Sequence, residues 1–430
     1  MGGEAREVSL GETTELLTGH PFKSDEFSDA PPGLRLLRGD NVVQGQTRWD
    51  GAKYWPHDVS AAVDTYRLRA GDVVLAMDRP WIEAGLKHAT LTGADCPSLL
   101  VQRVARLRAR EGLDQRFLGY VIRSADFTNY VLGVQTGTAV PHISGGQIKA
   151  YRFGLPPLRV QQQAAEVLGA IDDKIELNRR MAGTLEAMAR ALFQSWFVDF
   201  DPVRAKAEGR PTGLSDEVAA LFPNKIGGDG MPEGWHLGRL SDLLDNNVHR
   251  VRPSEWTRRN PYVPIDAIAA KSLTGIELRN GSLAQSSLVS FARDDILFGA
   301  MRPYFHKVAI APSEGTTRTT VFTLRPKEMH DLAYGLLLVS ETTTIDFANN
   351  GASGSTIPYA TWDNSLATMP TLLAPKALRT AFGSLVEPML RRAQTNVEKS
   401  RTLAALRDAL LPKLISGELR VGDVAEISAA

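Results

Sequence analysis

Asp172-Asp173-Lys174 sets two carboxylates beside an amine, the residue types with which nucleases hold a divalent cation and activate a phosphodiester. Ile171 and Ile175 flank it within a helical pattern, so the spacing reads as the solvated face of an amphipathic helix. Other chemistry-bearing signatures are missing from the sequence. No Gly-x-x-x-x-Gly-Lys-Ser/Thr loop cradles a nucleotide phosphate. No His-Glu-x-x-His motif and no cysteine pair is present to hold a metal. Leu155-Pro156-Pro157-Leu158 lacks the polar residue that opens the Asn/Asp-Pro-Pro-aromatic motif of amino-methyltransferases. No catalytic residue and no metal ligand is assigned.

The 430 residues are 43% hydrophobic, enough chain and enough apolar surface for two or more cores. Lys+Arg and Asp+Glu each number 49, so the net charge is +0 and any polyanion must be met by local basic patches. The lone Cys96 fits a reducing compartment and a packing role. No charged-then-apolar leader and no membrane-length apolar run is present, which points to a cytoplasmic protein with no membrane partner.

The elements that must position any site occur twice, about 220 residues apart. Leu10-Gly11 recurs as Leu237-Gly238, and Asp40 as Asp266. Gly71–Pro80 resembles Asp294–Pro303, and Gly137–Pro141 resembles Gly354–Pro358. Asn178, Leu185 and Leu192 match Asn396, Leu403 and Leu410. A chain so duplicated is two copies of one unit, a globular α+β region followed by a long helix.

Turn-broken apolar runs such as Asp72–Met77 and Asp295–Phe298 predict strands, and Gln115–Ser124 and Asp331–Ser340 predict helices. From Gln161 to about Phe197, apolar residues recur three and four apart: Leu168, Ile171, Ile175, Asn178, Ala182, Leu185, Ala189 and Leu192. A second seam from about Leu378 to Leu411 carries Val386, Met389, Ala393, Asn396, Leu403 and Leu410. Ser400 and Arg407 interrupt it, Pro388 sits near its start and predicts a later start or a kink, and Pro412 ends it. Two such seams suit an antiparallel pair in which Asn178 and Asn396, each near its helix midpoint, meet and fix the register.

At these helices the sequence resembles a known family. Pro156-Pro157-Leu158, Gln161–Gln163 and Val167–Asn178, continued by Leu185–Phe193 and Ser195-Trp196-Phe197, look like the central region of Type I restriction–modification specificity subunits. Leu403–Asp408 with Leu410–Leu419 resembles the distal region, and Pro232-Glu233-Gly234-Trp235 the opening of a second target-recognition domain. The resemblance implies two pseudo-twofold-related α/β target-recognition domains separated by a long antiparallel two-helix coiled coil. It divides the chain into a first recognition domain at 1–155, a central helical region at 156–205, a linker at 206–231, a second recognition domain at 232–374, a distal helical region at 375–420 and a tail at 421–430. It further implies that each domain reads half of a split, asymmetric site in double-stranded DNA while the coiled coil sets the spacing. Two modification subunits would dock on the helices and restriction subunits would join them. S-adenosylmethionine, ATP and magnesium would be bound by those partners and none by this non-catalytic chain. The competing readings are a coiled-coil adaptor or degenerate copy without DNA reading, and a stand-alone enzyme, against which the missing motifs argue.

Under that resemblance the duplicated loops are the candidate DNA contacts. Arg79 and Arg302 are suited to the N7 and O6 edge of guanine. Gly137-Thr138 and Gly354-Ser355 offer hydroxyls and backbone N–H groups to phosphate. His142 and Tyr359 occupy neighbouring matched positions and differ between the halves. The basic runs Arg103/Arg106/Arg108/Arg110 and Arg250/Arg252/Arg258/Arg259 are further phosphate candidates.

Overall fold

The computed structural model describes residues 6–137, 139–352, 358–416 and 418–419. It divides into two units: residues up to 174 with those from 403 onward, and residues 175–402.

In the first unit, a five-stranded sheet contains β1 (Thr14–Thr18), β2 (Gln44–Gly45), β3 (Val73–Ala76), β4 (His88–Thr90) and β5 (Val104–Ala109) in the order β1-β5-β3-β4-β2. Only the β2–β4 pair is parallel. The run Val73–Ala76 is apolar throughout because both faces of β3 are covered. Val73 and Leu75 pack into one core, and Val74 and Ala76 into another. Helices α1 (Gln115–Arg123) and α2 (Ala125–Val134) follow, each capped by the preceding side chain. Asp114 accepts from the Phe117 N–H at 2.9 Å, and Ser124 from the Phe127 N–H at 3.1 Å. A long helix, α3 (Leu158–Phe193), starts just after Pro156-Pro157. Its fully buried Gln161 accepts from the Asp114 N–H at 2.8 Å and donates to the Gly112 and Pro156 carbonyls, tying the helix to the turn before α1.

The second unit repeats this plan. Strands β6 (Leu244–Asn246), β7 (Ile296–Gly299), β8 (Val308–Ile310) and β9 (Val321–Pro326) lie in the order β6-β9-β7-β8, all antiparallel. Ile296 and Phe298 face one core and Leu297 another, as on β3. Helices α4 (Leu332–Ser340) and α5 (Thr342–Asn350) and a second long helix, α6 (Lys376–Ser416), complete it. The repeat extends to single contacts. Asp72 pairs with Arg108 at 2.6 and 2.9 Å, and Asp295 with Arg325 at 2.7 and 2.8 Å, each acid buried where the central strand begins.

Within the second unit the long helices are antiparallel. Phe193 and Phe382 have ring centroids 6.1 Å apart, while the Ser400 hydroxyl lies 3.5 Å from the Ile175 carbonyl. Ile175, Asn178, Ala182 and Ala189 are buried on α3, as are Val386, Ala393, Asn396 and Ser400 on α6. Leu185, Leu192 and Met389 are half-buried. In the first unit, Leu168 shares a core with Leu411 and Leu414, while Ile171, Leu403 and Leu410 are half-buried. Helix α3 ends in a π-helical turn, Gln194–Val198. Its wider turn lets Trp196 and Phe197 both enter an aromatic cluster with Phe193, Tyr334 and Phe382. The segment expected as a linker packs as well, with Phe222 edge-on to Trp196 at 5.1 Å.

Three expectations are corrected. Helix α6 begins at Lys376, so Pro388 lies inside it, and it runs through Pro412 to Ser416. Both prolines are exposed, so the carbonyls they leave without donors face water. Arg407 does not break the seam: it is 6% exposed and ion-paired to Asp172 at 2.6 Å. Asp172 is therefore not on a solvated face, since the Tyr120 hydroxyl donates to it at 2.9 Å and Arg123 at 3.3 Å.

Candidate nucleic-acid interface

Each central strand runs out into a loop that starts with the predicted arginine. Beyond β3, the Met77 N–H donates to the Arg103 carbonyl at 2.8 Å, and the Ile143 N–H to the Met77 carbonyl at 2.9 Å. Beyond β7, the Ala300 N–H donates to the Thr320 carbonyl and the Ala360 N–H to the Ala300 carbonyl, both at 2.9 Å. The matched arginines share one unusual backbone conformation. Arg79 has φ 44° and Arg302 φ 53°, in the left-handed region that side chains disfavour. Each is held there by its own N–H, which donates to the Pro141 carbonyl at 2.7 Å or to the Pro358 carbonyl at 2.8 Å. Pro80 and Pro303 then bury their rings, turning the chain outward. Such strain, held by the same kind of hydrogen bond in both halves, is of the kind that clusters at functional loops. Among the described residues, neither guanidinium enters an ion pair.

The neighbouring candidates converge on the same places. His142 bridges backbone to Asp78, directly before Arg79, and its ring lies 3.1 Å from the Thr136 hydroxyl. Gly137 takes φ 92°, and a side chain there would meet the Val140 carbonyl at 2.6 Å, so only glycine fits this turn. Tyr359 bridges backbone to Met301, directly before Arg302, and its hydroxyl donates to the Thr319 carbonyl. Burial pushes the Tyr359 hydroxyl above its ordinary pKa. Thr138, Gly354 and Ser355 lie outside the described residues.

The sequence did not flag the lysine that each half places just beyond its loop. Lys87 and Lys307 follow the arginine by a few residues, and the carbonyl of each accepts from the central strand: from the Ala76 N–H at 3.0 Å and the Gly299 N–H at 2.8 Å. Burial lowers the pKa of both ammonium groups. Asp40 opposes that for Lys87, where the charges of Arg79 and Arg48 add to it, and Asp266 opposes it for Lys307. The Lys307 ammonium donates to the Ile265 and Ile268 carbonyls at 2.8 and 2.9 Å, clamping the turn that carries Asp266.

Helix α3 braces the second loop. Glu186, 5% exposed, accepts from the Leu273 and Thr274 N–H groups at 3.0 and 2.9 Å and from the Ser272 and Thr274 hydroxyls. Arg190 donates to the Lys271 carbonyl at 3.0 Å, and the Lys271 N–H donates to the His306 carbonyl at 2.9 Å. Three links thus connect the long helix to the Arg302 loop. Glu186 on its own resembles any charged helical residue, which is why its role was not legible in the sequence.

The basic runs serve different ends. Arg106 is 1% exposed and paired with the exposed Glu15, and Arg108 pairs with buried Asp72, so both guanidinium groups are taken up in internal ion pairs and not in phosphate contacts. Arg103 is exposed beside Asp78, and the Arg110 guanidinium reaches the Gly11 carbonyl. Arg250, Arg252 and Arg258 are exposed, and Arg259 pairs with Glu255.

Comparison with known proteins gives this arrangement its context. Residues 45–187 match the family described as Type I restriction modification DNA specificity domain. The specificity subunit of the Type I restriction enzyme MjaIX from Methanocaldococcus jannaschii is 24% identical over 325 residues, 73% of this chain and 71% of its own. The specificity subunit of the Type I restriction enzyme EcoAI from Escherichia coli is 34% identical over 168 residues, 39% of this chain and 28% of its own. The crystal structure of the Type-I restriction-modification system S subunit from M. genitalium shares the fold at a TM-score of 0.54 and 14% identity, covering 95% of this chain and 96% of its own. With its duplicated loop-bearing sheets and its long antiparallel helices, the chain is similar to the specificity subunits of Type I restriction enzymes, and its residues 45–187 match their DNA specificity domain.

Proposed function

We propose that this chain reads a bipartite DNA site for a Type I restriction–modification complex and performs no chemistry itself. Residues 1–155 and 232–374 act as the two recognition domains, and the helices of 156–205 and 375–420 as the spacer between them. The observation that carries the reading is the repeated arginine loop. Arg79 and Arg302 hold the same strained conformation on the same frame, free of ion pairs among the described residues, where the flanking positions His142 and Tyr359 differ. A frame held constant while neighbouring side chains change suits two domains that read different half-sites. Bidentate arginine contact with guanine supplies the discrimination and nearby basic groups the phosphate contacts.

On this reading the partners are double-stranded DNA, two modification subunits seated along the helices, and restriction subunits beyond them. S-adenosylmethionine, ATP and magnesium act on those partners, inside the cell. No helix among the described residues is long and apolar enough to cross a membrane. Selection of duplexes from a randomised pool by the full-length chain tests the reading. Enrichment of a split, asymmetric motif supports it. Salt-sensitive binding without enrichment would indicate an adaptor or a degenerate copy.

A further inference from the structure

In each half, large apolar side chains follow the arginine and its buried proline. Trp81 and Ile82 are 39% and 40% exposed, and Tyr304 and Phe305 are 47% and 45% exposed. Neither tip is loose. Trp81 and Ile82 pair with Leu86 and Gly85 in a two-stranded ribbon, and the Lys87 N–H donates to the Pro80 carbonyl at 2.7 Å. The second tip is a tight turn. The Phe305 N–H donates to the Arg302 carbonyl at 3.0 Å and the His306 N–H to the Pro303 carbonyl at 2.8 Å, with the Tyr304 and Phe305 rings 4.7 Å apart. Two different backbones, a ribbon and a turn, thus present the same thing at the same place: a rigid aromatic next to an arginine that forms no ion pair among the described residues. Holding such groups in water is unfavourable unless something covers them.

We propose that Trp81 in one half and the Tyr304–Phe305 pair in the other are base-stacking wedges, which enter a groove of duplex DNA and slide between neighbouring base pairs beside the arginine contact. This rests on the DNA-reading function above. Charge selects the occupant. Arg79 adjoins the first tip, where Asp78 is paired with Arg103 and the exposed Glu83 is the one acid in the ribbon's turn, while Arg302 adjoins the second and Lys271, hydrogen-bonded through its backbone to His306, braces it. Basic groups around an apolar point suit a polyanion with apolar base faces inside, and suit an apolar protein surface poorly. Stacking explains the aromatic character where hydrogen-bond readout alone would not require it.

The test uses the full-length chain and a duplex it enriches from a randomised pool. Each thymine is replaced in turn by 5-iodouracil, which crosslinks under light to stacked aromatic side chains, and the crosslinked peptides are sequenced. The expected crosslinks fall on Trp81 for one half-site and on Tyr304 or Phe305 for the other. Trp81→Ala weakens binding about ten-fold or more, whereas Trp81→Phe stays close to wild type, because the face that stacks is kept. Unchanged melting temperatures of these surface variants confirm that folding is intact. Crosslinks absent from both tips, with Trp81→Ala binding like wild type, overturn the wedge and leave DNA reading standing. Failure to enrich any sequence overturns both. Unchanged DNA binding with lost association of the adjoining methyltransferase subunit would make the tips a protein contact and likewise overturn the proposal.

Discussion

The Arg407 guanidinium on α6 lies 2.6 Å from the Asp172 carboxylate on α3, 235 residues away in the chain. Each explains the other: the cation that would interrupt an apolar seam is neutralised by an acid drawn in from what reads as a solvated face. Tyr120 and Arg123 bind the same carboxylate, so this pair also ties both long helices to α1.

Removing one partner is therefore costly. Arg407→Ala is expected to destabilise the chain by about 1–3 kcal/mol, as loss of a buried charged hydrogen bond does. A double-mutant cycle with Asp172→Asn in denaturant unfolding should show strong coupling. Additive effects would mean that the two side chains do not interact in solution.

Glu186 satisfies three backbone or hydroxyl groups of the 272–274 turn at 3.0 Å or less, and Thr274 through its side chain as well. Glu186→Ala leaves buried N–H groups unpaired and should cost about 3 kcal/mol. Amide exchange at Leu273 and Thr274 should rise far more than in β3. Unaltered protection of that turn would remove Glu186 from the positioning of the Arg302 loop.

His88 gives the stability a pH dependence. Burial, with the nearby charges of Arg123 and Arg407 adding to it, lowers the imidazole from its ordinary value of 6.5 to about 4. Between these values the unfolded chain binds the proton and the folded one does not. The contribution of the neutral ring is thus fully present above about pH 6.5 and falls away as the pH drops towards 4. The loss is on the order of 3 kcal/mol across that window. The strand position matching His88 in the other half is Val308. His88→Val should flatten the acid side of the stability profile. A profile unchanged by the substitution would show that His88 titrates normally.

Asn178 and Asn396 are 3% and 1% exposed, and among the described residues the side-chain amide nitrogen of each finds no hydrogen-bond partner. Counting from the Ile175–Ser400 contact along antiparallel helices sets them across from one another, the placement that a register-fixing pair requires. Replacing both by Leu should raise the melting temperature while loosening the single register, and replacing one should lower it. A double variant that is less stable than either single variant would contradict that role.

The strands, paired helices and duplication were legible because periodicity and repeated sequence report burial directly. Val73–Ala76 and Ile296–Gly299 were visible as apolar runs, and the seam residues as a three-and-four spacing. What the sequence hid were choices made by tertiary partners. Nothing local to Asp172 or Arg407 announces a pairing across 235 positions. Nor does Arg106 signal that it is buried on its strand with its guanidinium reaching Glu15 on the neighbouring one. Pro388 looked like a boundary because a helix-interior proline ordinarily costs a hydrogen bond, and only its exposed position makes it tolerable. In the candidate interface the arginines were legible through repetition. The aromatic tips carried the same repeated signal, an aromatic directly after Arg-Pro, but their exposure is a property of the folded loop.

The most direct test of the central claim is a map of N6-methyladenine in a host lacking other adenine methylation, expressing this chain with its adjoining modification subunit. DNA reading by this chain predicts a split, asymmetric methylated motif that disappears when the chain is omitted. It further predicts that Arg302→Ala relaxes one base position in one half of that motif, at a cost of about 1–3 kcal/mol there, and leaves the other half unchanged. Methylation that persists without the chain, or a motif that Arg302→Ala and Arg79→Ala both leave intact, would contradict the assignment of sequence reading to these paired loops.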